Sequence, residues 1–258
     1  MATQKNDTRI QYVPTDDAGI YYPETDGKPF AESDLHRIHI IDTYHRLNAY
    51  YEDRDDVYVS GNLLIYDVPG KTQRSISPDV MVVFGIEKKM RRTYKTWEEG
   101  KAPDLVMEFS SKTTYRADLE KKKKRYAQLG VTEYFLYDPE RSYLDDPLIG
   151  LRLNDKGQYD RISPLPNGGI PSAVLGLEFY VQDDDLGIYN PTLDEWLPTP
   201  AEKAQQEAEA RRQEAEARRQ EAKARQQEAK ARQRAEQEVA RLQSEIERLK
   251  GLVNKHEN

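Results

Sequence analysis

The chain has 258 residues, with 39 Lys+Arg against 46 Asp+Glu and no cysteine, a length that suits one domain of about 200 residues plus an appendage. Without cysteine there can be no disulfide, thiolate metal site or cysteine nucleophile, so any metal must be held by oxygen or histidine, which favours hard cations. From Ala201 onward stand 14 Lys+Arg and 12 Asp+Glu, which leaves residues 1–200 with 25 against 34 and a net charge of −9, a poor general surface for a polyanion. The opening stretch MATQKNDTRIQYVPTDDAG lacks an apolar leader core, and no segment approaches the roughly 20 apolar residues of a membrane span. A cytoplasmic protein without a membrane partner is expected.

Residues 1–31 carry Pro14, Pro23 and Pro29 among Asp and Gly and read as an extended lead-in to a main domain over 32–200. Ser33 or Asp34 can cap a helix running to about Glu52, with Leu35, Ile38, Ile41 or Asp42, His45 and Ala49 spaced so that one side faces a core. Residues 57–66 (VYVSGNLLIY) read as a first strand, and 79–84 (DVMVVF) as a second after a Pro-Gly turn. Residues 103–109 make a third. A helix over about 115–129 stops at Gly130, and a fourth strand over 133–138 ends at Pro139. Beyond it, 148–153, 158–162, 175–181 and 186–189 read as short strands of an antiparallel extension that covers one sheet edge.

Two acids stand at the ends of neighbouring strand candidates. Glu108 interrupts the apolar run Leu105, Val106, Met107, Phe109, where an uncompensated carboxylate costs several kcal/mol of desolvation. Asp79 follows Pro78 at the mouth of the preceding strand, so paired strands would bring the two together. A divalent cation such as Mg²⁺ suits such a pair; a Pro-Asp turn and a Glu–Lys ion pair are the plain alternative. On the following helix Asp118, Lys122 and Tyr126 are four residues apart and share a face, while Lys121, Lys123, Lys124 and Arg125 spread around the others. A lysine facing the acids could orient or help deprotonate a water and stabilise charge on a phosphate, although a lysine run also reads as a solvated face.

The segments AESDLH at 31–36, SPDVMVV at 77–83, PDLVMEFSSKTT at 103–114, DLEKKKKRY at 118–126 and GVTEYFLYDP at 130–139 together resemble the Uma2 family of restriction-endonuclease-like proteins, over about residues 20–200. The resemblance implies the PD-(D/E)xK nuclease fold, an α/β (α+β) core with a mixed sheet flanked by helices, whose order of helix, three strands, helix and strand matches the one read above. It implies Asp79 and Glu108 as ligands of Mg²⁺ or Mn²⁺ and, with Ser110 where a lysine usually stands, Lys122 as the catalytic cation. Lys112 is the rival, on one strand face with Glu108 if the strand runs that far. Glu32 and His36 match an acid and histidine of the family; they reach the metal through water or merely cap the helix. DNA is the implied partner, cut by a metal-activated water, with Lys88, Lys89, Arg91, Arg92, Lys121, Lys124 and Arg125 as phosphate contacts. The competing class is a non-catalytic nuclease-like module that binds nucleic acid or protein; a paired-carboxylate glycosidase is disfavoured by the lysines.

From Ala208 the chain repeats every seven residues (AEARRQE, AEARRQE, AKARQQE, AKARQRA) with no Pro or Gly before Gly251, so residues 201–258 form a long charged helix. Ala235, Val239, Leu242, Ile246, Leu249 and Val253 step by four and three as a coiled-coil seam, whereas Arg211, Arg218, Arg225 and Arg232 with Glu214, Glu221 and Glu228 fill that seam upstream. Self-association through 235–253, most simply as a dimer, is expected.

Overall fold

The computed structural model describes residues 19–25, 33–183 and 185–256, and the chain divides into two units with the boundary between Pro200 and Ala201. Most of the lead-in therefore lies outside the described residues. In the first unit Ser33 caps α1 (Asp34–Tyr50), its hydroxyl accepting the His36 backbone N–H at 3.2 Å. The buried side of α1 is not the expected one. His36, His39, Ile40, Thr43, Arg46 and Leu47 are buried, while Leu35, Ile38 and Ile41 lie exposed. Leu47 and Tyr51 anchor the helix on the sheet, and Arg46 on the same side donates to the Leu186 carbonyl and to the Asp185 carboxylate. Two apolar stripes competed, and the one with distant polar partners is inside.

The strand expected over 57–66 is two strands, β1 (Val57–Ser60) and β2 (Ile65–Tyr66). They break at Gly61, where a Cβ would lie 2.1 Å from the Asp79 carbonyl oxygen, and at Asn62, whose φ is +52°. β2 joins β3 (Ser75–Ile76) and β5 (Tyr94–Lys95) in a small sheet. The main sheet is built from β1, β4 (Val80–Phe84), β6 (Leu105–Phe109), β7 (Glu133–Tyr137), β8 (Leu148–Leu153) and β9 (Tyr159–Arg161) in that order. β6 and β7 are parallel and every other neighbouring pair is antiparallel. A short helix α2 (Thr96–Glu99) precedes β6. The crossover from β6 to β7 is helical, α3 (Tyr115–Ala117) and α4 (Lys123–Leu129) being joined by a π turn over Asp118–Lys122. Gly130, at φ +83°, ends it.

Only half of the expected C-terminal extension joins the sheet edge. β8 and β9 do, whereas β10 (Ile170–Ser172), β11 (Leu177–Gln182), β12 (Asp185–Asn190) and β13 (Glu195–Trp196) form a second, four-stranded sheet. Its Leu177, Phe179, Leu186 and Ile188 share a core with α1 and with Leu105, Met107, Phe109 and Phe135 of the main sheet. Tyr126, Val106, Tyr134 and Leu136 fill a second core on the opposite face, beneath the crossover helix. Each fully buried side chain of this size contributes about 1.5–3 kcal/mol.

The second unit is one helix, α5 (Pro200–His256), with Pro200 in the first position, where its missing N–H costs nothing. Arg218 pairs with Glu214 and Arg225 with Glu221, each at 2.6 Å and one turn apart along the helix. No helix among the described residues is long and apolar enough to cross a membrane.

Candidate active site

Strand alternation decides which acids meet. Leu105, Met107 and Phe109 of β6 face α1, and Val106 faces the crossover helix, so Glu108 turns to the helix side as well. On β4, Val80 and Val82 face α1 while Met81 and Val83 face the helix, which turns Asp79 to the same side. The antiparallel register pairs Val80 with Met107, and its next rung sets Asp79 opposite Glu108. Asp79 Oδ2 accepts the Phe109 N–H at 2.7 Å, which fixes that carboxylate across the rung.

The crossover helix brings three more groups over this pair. Lys122 Nζ lies 2.8 Å from Glu108 Oε2 and 3.0 Å from Asp118 Oδ1, and the Tyr126 hydroxyl donates to Glu108 Oε1 at 2.5 Å. The π turn, closed by the Lys123 N–H on the Asp118 carbonyl, carries Asp118 and Lys122. Ser110, two residues past Glu108, stays on the strand line through its N–H on Tyr137 O at 2.7 Å and donates its hydroxyl to Asp118 Oδ2 at 3.1 Å. Glu108, Asp118 and Tyr126 are fully buried.

Three carboxylates thus share one ammonium. Burial pushes the Glu108 carboxyl well above its ordinary range, Lys122 opposing and Asp79 and Asp118 adding to the rise. Burial likewise pushes Asp79 up to about 6, against the Lys122 charge and the Phe109 N–H bond. For Lys122, burial works against the charge, but Glu108, Asp118 and Asp79 outweigh it and raise the ammonium above the ordinary lysine range. Lys122 therefore stays protonated: it can hold a negative charge, but it is not a base for water. Asp118 Oδ1 is met by the Lys122 ammonium at 3.0 Å and by no hydrogen bond of good geometry.

An all-oxygen, acid-rich set of donors suits a hard cation. No group of three or more acid or histidine side chains among the described residues is arranged to hold a metal ion. The pair Asp79 and Glu108 is the smaller set that Mg²⁺ commonly uses, with water completing its shell.

Residues 11–183 match the model of the Uma2 family, described as "Putative restriction endonuclease", and make up more than half of the chain. The chain belongs to the Uma2 family. It is also similar to a solved structure described as a "putative nuclease belonging to DUF820" from Anabaena variabilis ATCC 29413, with 15% identity, a TM-score of 0.42, and coverage of 59% of this chain and 81% of that one. No curated protein matches it.

The remaining expected site residues of this Uma2 chain are scattered. Lys112 is exposed in the turn that leads into α3, where the Thr114 N–H bonds Ser111 O, and it does not join the acids. His36 packs edge-on against Phe109, ring centroids 6.2 Å apart, on the α1 face and so across the sheet from Glu108. Glu32 lies outside the described residues. Of the expected phosphate contacts, Arg91 is a correction: its side chain is 3% exposed and tied to Glu99 at 2.7 Å. Arg125 is another, forked onto Asp67 at 2.8 and 2.5 Å. Arg92 pairs with Glu24, and Lys88 Nζ donates to Tyr51 O and Glu52 O at 3.0 and 3.1 Å. Lys89, Lys121 and Lys124 are exposed. Sequence reasoning did not assign Asp118 and Tyr126 to the site, although the four-residue spacing that carries Lys122 contains both.

Proposed function

We propose that this Uma2 chain is a metal-dependent endonuclease that hydrolyses DNA phosphodiester bonds, with Asp79 and Glu108 holding Mg²⁺ or Mn²⁺ and Lys122 as the catalytic cation. The observation that carries the reading is the convergence of three carboxylates, those of the buried Glu108 and Asp118 and the half-buried Asp79, on a single lysine where the crossover helix covers the ends of β4 and β6. That crowding disfavours ionisation of Glu108 and Asp79 in the absence of a cation, and a bound divalent cation would relieve it. A bound divalent cation supplies Lewis acidity toward a phosphate oxygen and toward water. Tyr126 stays a phenol, because burial and Glu108 push its pKa well up, and its hydroxyl orients one Glu108 oxygen toward the site. Lys122, fixed as an ammonium, is positioned to stabilise charge developing on the phosphate. Lys121 and Lys124, exposed on the same crossover helix, are cations available to meet the flanking backbone.

A plasmid-nicking assay with Mg²⁺ or Mn²⁺ tests this. Cleavage by the wild type that falls at least 100-fold in both Asp79→Ala and Glu108→Ala supports the enzyme. Equal activity in all three would mean a contaminating nuclease and leave the chain a binding module.

We further infer that α5 self-associates through residues 235–253. Val239, Leu242 and Ile246 are about half exposed on one side of a helix that is otherwise strongly polar. Leu242→Asp with Ile246→Asp puts charges in that seam. Light scattering should then report a folded monomer, and an unchanged oligomer would assign assembly to the first unit.

A further inference from the structure

The outer edge of the main sheet holds a second polar feature. β1 is the edge strand, and the bond from the Gly85 N–H to Asp56 O sets the alternation of its ladder with β4. Residues 58 and 60 then bond β4, and the N–H and C=O of Val57 and Val59 point outward. The Val57 N–H is taken by Arg54 O at 3.3 Å, whereas those of Val59 have no partner among the described residues. Against this edge lies a cavity of about 330 Å³, bounded by Tyr44 and Asn48 of α1, Tyr58 and Ser60 of β1, and Lys88 and Lys89 of the loop after β4.

One wall of the cavity, Ser60, lies close to the backbone that carries Asp79. Ser60 precedes Gly61, whose Cα hydrogen faces the Asp79 carbonyl so closely that a Cβ would lie 2.1 Å from it. Ser60 is therefore within roughly 8 Å of the Asp79 backbone. The lining combines cations, neutral donors and aromatic rings. Lys88 Nζ is held on two backbone carbonyls and keeps its third N–H to offer. Lys89 is half exposed, its nearest acid the more exposed Glu87 at 3.4 Å. Tyr58 carries the Arg91 guanidinium over its ring at 4.2 Å, which fixes that ring in the wall.

We propose that this cavity binds one unpaired nucleotide of the substrate strand beside the scissile phosphodiester, a phosphate meeting Lys88 and Lys89 and the base stacking on Tyr44. The proposal rests on the nuclease reading of the acid cluster. Stacking surface beside phosphate donors is how proteins hold single strands, and each stacked base tolerates any sequence. An extended peptide added to β1 is the weaker occupant. It would need several successive backbone pairs, and this four-residue strand offers only the Val59 pair complete. In a unit whose net charge is −9, a local basic cavity is also where a polyanion has to be gathered.

The test is fluorescence anisotropy of a labelled single-stranded oligonucleotide and of its duplex, with the full chain at fixed salt, run alongside the nicking assay. Lys89→Glu and Tyr44→Ala are compared with Lys156→Glu, an equal charge reversal on the exposed β8–β9 turn. Lys89 is exposed, so its variant keeps the fold. The expected result is tighter binding of the single strand than of the duplex, at least fivefold weaker single-strand binding in both cavity variants, and a change under twofold in the control. Wild-type binding in Lys89→Glu and Tyr44→Ala, or equal binding of duplex and single strand, while metal-dependent cleavage persists, overturns the subsite and leaves the nuclease reading standing. Neither binding nor cleavage by the wild type overturns both.

Discussion

Two glutamates on adjacent parallel strands, Glu108 of β6 and Glu133 of β7, are both fully buried, yet they are kept in opposite ways. Glu133 accepts from Arg152 at 2.8 and 3.1 Å, from the Ala173 N–H at 3.0 Å and from the Ser172 hydroxyl at 2.5 Å. One negative charge meets one cation and two further donors, and the group ties the main sheet to the second sheet. Glu108 shares its one cation with Asp79 and Asp118. Burial on a strand therefore does not mark a functional acid. What marks it is charge that the fold leaves unbalanced.

That contrast gives opposite signs to two substitutions, and this is the largest expected effect. Glu133→Ala strips acceptors from the buried Ser172 hydroxyl and the Ala173 N–H and leaves Arg152 without its acid, at a cost of about 2–3 kcal/mol. Glu108→Gln removes one of three repelling carboxylates while keeping its shape, so the metal-free protein should lose nothing or gain slightly. Urea unfolding of both proteins reads the difference. A Glu108→Gln protein destabilised as much as Glu133→Ala would mean that Glu108 is a structural acid of the same kind.

A smaller effect separates Asp79 from an ordinary salt-bridged acid. Its folded pKa stands at about 6 against an ordinary 3.8, so the folded chain binds the extra proton. Stability is present below pH 4, declines as pH rises through 4 to 6, and stays lower above that range. Asp79→Asn lacks this loss. Without divalent metal it should be the more stable protein above pH 6, by on the order of 1–2 kcal/mol, with the gap closing below pH 4. Adding Mn²⁺ should reverse the order, because only the wild type gains from binding. Thermal melts across pH, with and without Mn²⁺, check both halves, and a pH-independent gap would sink the argument.

The two acids were legible in the sequence because strand alternation is local: an acid at 108 within LVMEF and one at 79 before VMVVF fall on one face once the strands pair. The order of helix, three strands, helix and strand was legible for the same reason. The difference between Glu108 and Glu133 was not. EYFLY looks as functional as LVMEF, and the groups that make Glu133 structural lie at 152, 172 and 173. The buried side of α1 was missed likewise, since Leu35, Ile38 and Ile41 form the more apolar stripe, while the stripe that is buried depends on Arg46 finding Asp185 and Leu186 about 140 residues away. The π turn carries no composition signal, and so Asp118 reads as a helix residue rather than as the third acid.

Asp185 supplies the smallest and last test, because its balance runs the other way. One half-exposed carboxylate faces the Arg46 guanidinium, Nη2 at 2.8 Å, and the His39 ring, Nδ1 at 3.2 Å. Burial pushes its pKa up, but the His39 hydrogen bond, the Arg46 charge and the Leu186 N–H bring it down to about 2. A depressed folded pKa contributes stability above the ordinary value of 3.8, and that contribution is lost as pH falls toward 2. Solvent screens a group this exposed, so Asp185→Asn should cost no more than about 1 kcal/mol near pH 6. The cost should vanish near pH 2. The pH dependence is thus opposite in sense to that of Asp79→Asn: one variant loses a stabilising charge that acid would remove anyway, and the other sheds a destabilising charge that appears only as acid is withdrawn. Denaturation of both variants on one pH series tests whether local charge balance, and not burial, sets the sign. If the Asp185→Asn deficit grows on acidification, the balance argued for these four acids is wrong.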